Sequence, residues 1–481
     1  MEDTSSLKRS VLRAVGWASG TRMIGQLVNW AMTLATVRFL DPHDYGLMAI
    51  TMAVNGFLQA ISSIGFANVI VQSRRLGDED MRGVFGLILM SNAACLVVLC
   101  ALAPVAAWFY GEPRLTALLQ VASLTFIATA LQAIPRATLE KKLDLKTVSR
   151  IDMLSNIAGG ILVLLLAWLG AGVWSLITGA VVIALLRTVG LSVAAPYFRR
   201  PRFTLHNLSE VLHFGGLRTV ENLLWAVYSN ADVFIIGKLL GPQILGIYSV
   251  SRYVAALPIE KLALVINPVA FPAFARVQDD RLEALRYLKK AVRILAVMCL
   301  PIFFGMAATS PQIVAVALGP RWAEATTPLA ILAFGMALRP VGLLIPSFLF
   351  GIGEFVASFK NTVFATILFP VAFIVGSHWG LIGVCSAWLV AYPLQLLSLV
   401  RRVALITKTP ISGLLQPLLS PLAASLIMYI AVRAAATILP SNVGVWGSTL
   451  WLVATGAMVY LGYAALFLRP VAAELVSLVR R

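Results

Sequence analysis

The sequence predicts an all-α integral membrane protein of about fourteen transmembrane helices. It reads as two parallel six-helix repeats and two C-terminal helices around a central cavity. Three observations carry this prediction. Of the 481 residues, 59% are hydrophobic and only 12% are charged, where a soluble domain is about half apolar and a quarter charged. Apolar runs of about 20 residues, the length that crosses a bilayer as a helix, recur along the whole chain. One segment repeats itself after 200 residues. No polar linker divides the chain. The composition excludes a soluble enzyme, a nucleic-acid-binding domain and a secreted disulfide scaffold.

The elements follow in order. Span 1 (15–36) comes after a basic, polar N-terminus and carries Arg22, so it reads as a retained helix and not a cleaved signal peptide. Asp41-Pro42 ends it and span 2 (46–70) follows. Span 3 (84–108) and span 4 (116–135) are parted by Gly111-Glu112-Pro113. Spans 5 (153–170) and 6 (173–195) are nearly contiguous. Gly241-Pro242 parts span 7 (215–236) from span 8 (246–270), and Gly319-Pro320 parts span 9 (291–310) from span 10 (326–350). Spans 11 (361–377) and 12 (381–400) come next. Pro440-Ser441-Asn442 separates span 13 (414–436) from span 14 (446–468).

The net charge of +17 is unevenly distributed. With fourteen spans both termini fall on one side. The loops there hold Lys8, Arg74, Arg75, Arg136, Lys141, Lys142, Arg199, Arg200, Arg281, Lys289, Lys290, Arg401 and Arg402 among others. The opposite loops hold only Arg38, Arg114, Lys238, Arg321 and Arg433. The bias is roughly five to one, and by the positive-inside rule it makes both termini cytoplasmic. The outer loops are too short for a folded domain. Cys95, Cys100, Cys299 and Cys385 all sit in apolar stretches as small hydrophobes. The four histidines make no metal pattern, and no metal or other cofactor is expected.

The repeat pairs Arg38 to Gly46 with Lys238 to Gly246 without a gap, and Gly16 with Gly216. Gly111 answers Gly319, and Gly172-Val173-Trp174-Ser175 answers Gly383-Val384-Cys385-Ser386. An even number of spans per repeat keeps both in one orientation. The expected division is an N-lobe (1–200), a C-lobe (201–407) and a C-terminal helix pair (408–481). Parallel repeats of this kind are a transporter architecture with the binding site between the halves.

An ionisable group in hydrocarbon costs at least about 2.5 kcal/mol, so it faces the bundle interior or a cavity. Span 7 carries Arg218, Glu221, Asn222, Trp225, Tyr228, Ser229 and Asp232, most of them on one helical stripe. Span 1 carries Arg22, Gln26, Asn29 and Thr33; span 2 carries Asn55, Gln59 and Ser62. Span 8 adds Arg252, Glu260 and Lys261, and span 10 adds Arg339 beside Pro340. Five cations (Arg22, Arg218, Arg252, Lys261, Arg339) thus stand against three carboxylates (Glu221, Asp232, Glu260). A basic cavity suits an anionic substrate, and a guanidinium fork suits phosphate. Asn29, Asn55, Gln59, Asn222, Trp225 and Tyr228 are candidates for contacts with sugar. The competing account is internal ion pairing, such as Arg218 with Glu221 or Asp232 with Arg252. Asp232 is also a candidate for coupling to protons or sodium. The acidic runs Asp78-Glu79-Asp80 and Asp279-Asp280 read as solvated loop charge. The amphipathic segment Arg281 to Arg293 reads either as an inner-leaflet surface helix or as the start of span 9.

Motifs in order along nearly the whole chain carry a resemblance. They are Arg38 to Gly46 with its copy, and Asn230-Ala231-Asp232 running into Ile235-Ile236-Gly237-Lys238-Leu239-Leu240-Gly241. Gly246-Ile247-Tyr248 and the run Phe271-Pro272-Ala273-Phe274-Ala275-Arg276 follow. In these the sequence resembles the Wzx-like oligosaccharide flippases, the polysaccharide transporter branch of the multidrug/oligosaccharidyl-lipid/polysaccharide exporter superfamily. The resemblance implies a two-lobed bundle alternating between inward-open and outward-open forms in a bacterial inner membrane. Its cargo would be undecaprenyl-pyrophosphate-linked oligosaccharide for lipopolysaccharide, capsule or exopolysaccharide. Arg22, Arg218, Arg252, Lys261 and Arg339 would then meet pyrophosphate. Implied partners are membrane lipid and the polymerase, chain-length and export proteins of polysaccharide synthesis, around a monomer. In the lipid II flippase relatives the last two helices form a groove for the lipid tail, a role open to spans 13 and 14.

Two rival classes remain beside a structural membrane scaffold, which would not need charges on paired helices. A drug exporter of the same superfamily would bind hydrophobic cations, which a positive cavity opposes. A polysaccharide polymerase or ligase usually carries a large outer loop, which the spacing of the spans leaves no room for.

Overall fold

A backbone inside hydrocarbon must satisfy its own N–H and C=O groups, and helices do so within one segment. Helices are the only regular elements among the described residues of the computed structural model. Those residues are 25, 28, 30–62, 78–197, 199–202, 208–278, 280–439 and 444–467, with side chains described except at 78, 80, 208–222, 260–269 and 271–272.

The helices are α1 (Pro42–Ser62), α2 (Asp78–Tyr110), α3 (Arg114–Lys141), α4 (Leu145–Trp168), α5 (Val173–Ala194), α6 (Leu208–Leu239) and α7 (Gly241–Ala275). They continue with α8 (Arg281–Ala308), α9 (Thr326–Met336), α10 (Arg339–Gly351), α11 (Phe355–Ser377), α12 (Gly380–Thr407), α13 (Ile411–Ile438) and α14 (Val445–Phe467). Short irregular helical turns connect α8 to α9. Among the described residues eleven helical segments are long and apolar enough to cross a membrane, with α9 and α10 read as one. They coincide with eleven of the expected spans. Spans 7 and 8 fall on α6 and α7, whose side chains are only partly described, and span 1 lies mostly outside the described residues.

The chain forms two compact units, Met1–Gln243 and Ile244–Arg481. In the first, α2 and α3 pair closely through the turn at Gly111, whose φ of +70° only glycine adopts without strain. Leu58, Cys95, Leu99, Ala103, Leu119 and Phe126 knit α1, α2 and α3 into one apolar cluster. At the other end of α3 the charges gather. Arg136 Nε bonds Glu140 at 3.0 Å, and its Nη2 reaches Asp152 at 3.5 Å. Arg187 Nε lies 2.7 Å from the second Asp152 oxygen. Asp152 thereby ties α3, α4 and α5 together, and its carboxylate offsets the charge of Arg187, the one ionisable residue that α5 carries. The sequence reading missed this set, because Arg187 on span 6 and Asp152 just before span 5 lie far apart along the chain.

In the second unit α8 packs on α13, α11 on α12, and α13 on α14. Asp280 caps α8, accepting from the N–H groups of Leu282 and Glu283 at 2.9 and 3.0 Å. The amphipathic segment from Arg281 is therefore the first turns of α8. Leu285, Leu288 and Val292 are buried there, and Leu282 stays exposed.

The turn glycines correct one detail of the repeat. Gly172 opens α5 with φ +57°, and the residue doing the same for α12 is Gly380 at φ +64°. Gly383 lies inside α12, against the Gly376 carbonyl of α11. The offset from Gly172 to Gly380 equals that from Gly111 to Gly319, which also has positive φ. The left-handed turn, and not the local likeness of letters, fixes the register.

Candidate functional site

Pro340 has no N–H to give the carbonyl of Met336, so the helical ladder cannot run through this point. Span 10 is accordingly two helices, α9 ending at Met336 and α10 starting at Arg339. Three-residue bonds bridge the break: Ala337 N–H to Phe334 O and Val341 N–H to Leu338 O, both 3.1 Å. A broken helix near mid-membrane is tolerated only where protein or a cavity surrounds it.

Arg339 stands at the break, half-buried. Its guanidinium carbon is 5.4 Å from the centre of the Trp388 ring on α12. Its own carbonyl accepts from the Tyr392 hydroxyl at 3.3 Å. Trp388 is 3% exposed, and its Nε1–H donates to the Tyr248 hydroxyl of α7 at 2.9 Å. Phe369 and Phe373 of α11 close on the same indole, with ring centres 5.1 and 5.7 Å away. Close packing sets this geometry: a methyl at Gly342 would lie 1.9 Å from the Tyr392 hydroxyl, and one at Gly335 2.8 Å from Trp388 Cβ. Among the described residues no carboxylate pairs with Arg339. Its N–H donors thus remain available to an anion.

The other expected site residues are placed as follows. Arg252 of α7 is half-buried, and only the backbone of Glu260 and Lys261 is described, within α7. Arg218, Glu221 and Asn222 lie on α6, again by backbone alone. Arg22 and Asn29 lie outside the described residues. In the first unit α1 packs along α6. Trp225, near the middle of α6, is 60% exposed, an unusual position for indole unless it meets lipid or a ligand. Tyr228 and Gln59 are half-buried. Asp232 is 1% exposed, with one oxygen accepting from the Val233 N–H at 2.8 Å. Asn55 is buried and gives its amide to Thr125 of α3 at 3.2 Å, so in this conformation it serves packing within its own unit. The structure brings Arg339 together with Trp388, Tyr248 and Tyr392, which the sequence reading did not single out. An aromatic residue inside an apolar helix gives no signal of its own. Among the described residues no three His, Cys, Asp or Glu side chains gather as a metal site.

A family profile described as polysaccharide biosynthesis protein matches residues 35–327. The lipopolysaccharide biosynthesis protein WzxC of Escherichia coli (strain K12) is 25% identical over 389 residues, covering 80% of this chain and 79% of that protein. The succinoglycan biosynthesis transport protein ExoT of Rhizobium meliloti (strain 1021) is 26% identical over 351 residues, covering 72% and 70%. The fold is similar to that of the lipid II flippase MurJ in an inward closed conformation, with a TM-score of 0.76, 15% identity, and 95% and 99% of the two chains covered. The profile spans well over half of the chain, which therefore belongs to the polysaccharide biosynthesis protein family.

Proposed function

We infer that this chain is a flippase that carries lipid-linked oligosaccharide from the cytoplasmic to the outer leaflet of a bacterial inner membrane, for synthesis of a surface polysaccharide. The observation that carries the reading is Arg339, a guanidinium without a carboxylate partner among the described residues, held at a helix break within the apolar segment Pro320–Gly351. Such a group suits the pyrophosphate that joins glycan to lipid. Arg22, Arg218, Arg252 and Lys261 are proposed as further pyrophosphate contacts. Asn29, Asn55, Gln59, Asn222, Trp225 and Tyr228 are proposed as sugar contacts, and Glu221 and Glu260 as pairing partners. The names of the relatives WzxC, ExoT and MurJ support the same class of cargo. The lobes are proposed as 1–200 and 201–407, with 408–481 an added pair whose outer face could guide a lipid tail.

Both termini are proposed to be cytoplasmic. The bias of Lys and Arg toward the loops on that side supports this. Indole rings favour both membrane interfaces, and exposed Trp108, Trp168, Trp174, Trp379 and Trp446 at helix ends fit the interface opposite those loops.

Deleting the gene in a strain with no other flippase should leave lipid-linked glycan on the cytoplasmic leaflet and strip the surface polysaccharide. Extraction and mass spectrometry of the lipid-linked pool measures this, and a normal surface layer would overturn the reading. The mass of the trapped glycan would also identify the sugar.

Asp232 is proposed as the coupling carboxylate, since it is buried on a helix rich in polar groups. In proteoliposomes, Asp232→Asn should remove the stimulation of transport by an imposed proton or sodium gradient. Stimulation equal to that of the parent protein would exclude the role.

A further inference from the structure

We propose that Trp388 and Tyr392 are positioning residues that hold Arg339 for the anionic group of the cargo, Trp388 by cation–π contact and Tyr392 through the backbone. The inference rests on the reading of Arg339 as a pyrophosphate contact. Trp388 and Tyr392 are four residues apart on α12, hence on one face. One meets the guanidinium from its ring face at 5.4 Å, and the other bonds the carbonyl of the same residue at 3.3 Å. Arg339 is thereby gripped at both ends, at a point where the helix break would otherwise leave its backbone free to rotate.

The indole is itself fixed. Its N–H is held by Tyr248, and Phe369 and Phe373 pack against it. An aromatic face attracts a cation without neutralising it and occupies no N–H donor in a hydrogen bond. A carboxylate in the same place would compete with the cargo for those donors. A rigid ring instead leaves the guanidinium charged, oriented and open, and a preorganised group loses less freedom on binding.

The test is a binding cycle with undecaprenyl pyrophosphate as probe and undecaprenol as its neutral counterpart, on the purified full chain in nanodiscs. Trp388→Leu should weaken pyrophosphate binding about tenfold and leave undecaprenol binding unchanged. Trp388→Phe, which keeps an aromatic face, should recover most of the loss. In an Arg339→Ala background Trp388→Leu should add nothing, because its effect runs through the arginine. Tyr392→Phe should give a smaller loss that likewise disappears without Arg339. Should Trp388→Leu fail to fold, Tyr392→Phe carries the same cycle. Losses that add in full to Arg339→Ala, or that fall equally on undecaprenol, overturn the positioning role. Unchanged pyrophosphate binding in Arg339→Ala itself overturns the reading of the site instead.

Discussion

Arg339→Ala should abolish export of surface polysaccharide while the protein accumulates in the membrane at the parent level. Carrying a guanidinium into a membrane span costs at least about 2.5 kcal/mol. The Trp388 face returns only about 0.5–2 kcal/mol of it. No carboxylate among the described residues makes up the remainder. Removing a charge that is not balanced should leave the fold as stable as before or more so, whereas removing half of a buried ion pair destabilises it. Each hydrogen bond from the guanidinium to a phosphate oxygen contributes about 1.5–3 kcal/mol. Losing two should lower transport by about a hundredfold or more. Arg339→Lys keeps the charge but not the planar fork, so only partial export should return. Surface glycan from strains carrying each variant as the sole copy, set beside an immunoblot of the membranes, decides the matter. Full export by Arg339→Ala would remove Arg339 from the site.

How much of this was legible beforehand depended on the reach of each signal. Arg339 stands out in the sequence as a charge beside a proline in an apolar run. The starts of α1 and α7 were legible because Pro42 and Gly241-Pro242 act locally on the backbone. Trp388 was not, because its importance comes from Tyr248, 140 residues away, and from Arg339. Asp152 and Arg187 were hidden for the same reason. The partner of the Asn55 amide is Thr125, 70 residues on, which no local pattern indicates. The glycine pairing went astray within the reach of a single turn. Gly380 and Gly383 are both plausible by letter, and only the backbone sign at Gly380 tells them apart.

Gly46→Val should part the turn after span 1 from the turn after span 7, and with it lower export to a small fraction of the parent rate. In the first unit these repeat-related turns touch. A Cβ on Gly46 would lie 1.9 Å from the Pro242 carbonyl oxygen and 2.6 Å from its carbon. Those atoms are backbone, so no side chain can swing aside, and the start of α1 itself must move. Two neighbouring contacts hold the same end of the unit. His43 Nε2 lies 3.0 Å from Glu112, binding α1 to the turn between α2 and α3. The Lys238 amine donates to the Phe109 carbonyl near the end of α2 and sits 4.5 Å from the centre of that ring. A cation at a helix C-terminus is favoured by the dipole there. Overpacking costs about 1–3 kcal/mol, enough to shift a two-state equilibrium by about fivefold to 150-fold toward the parted form without unfolding the helices. An alternating-access transporter biased in this way would stall with this end open. His43→Cys should then react with a membrane-impermeant maleimide, added on the side that this turn faces, about tenfold faster in the Gly46→Val background than in the parent. Lys238→Met should act in the same direction and less strongly, because it loosens a contact without forcing a clash. Equal labelling and undiminished export in Gly46→Val would mean that the contact between the two turns does not take part in the transport cycle.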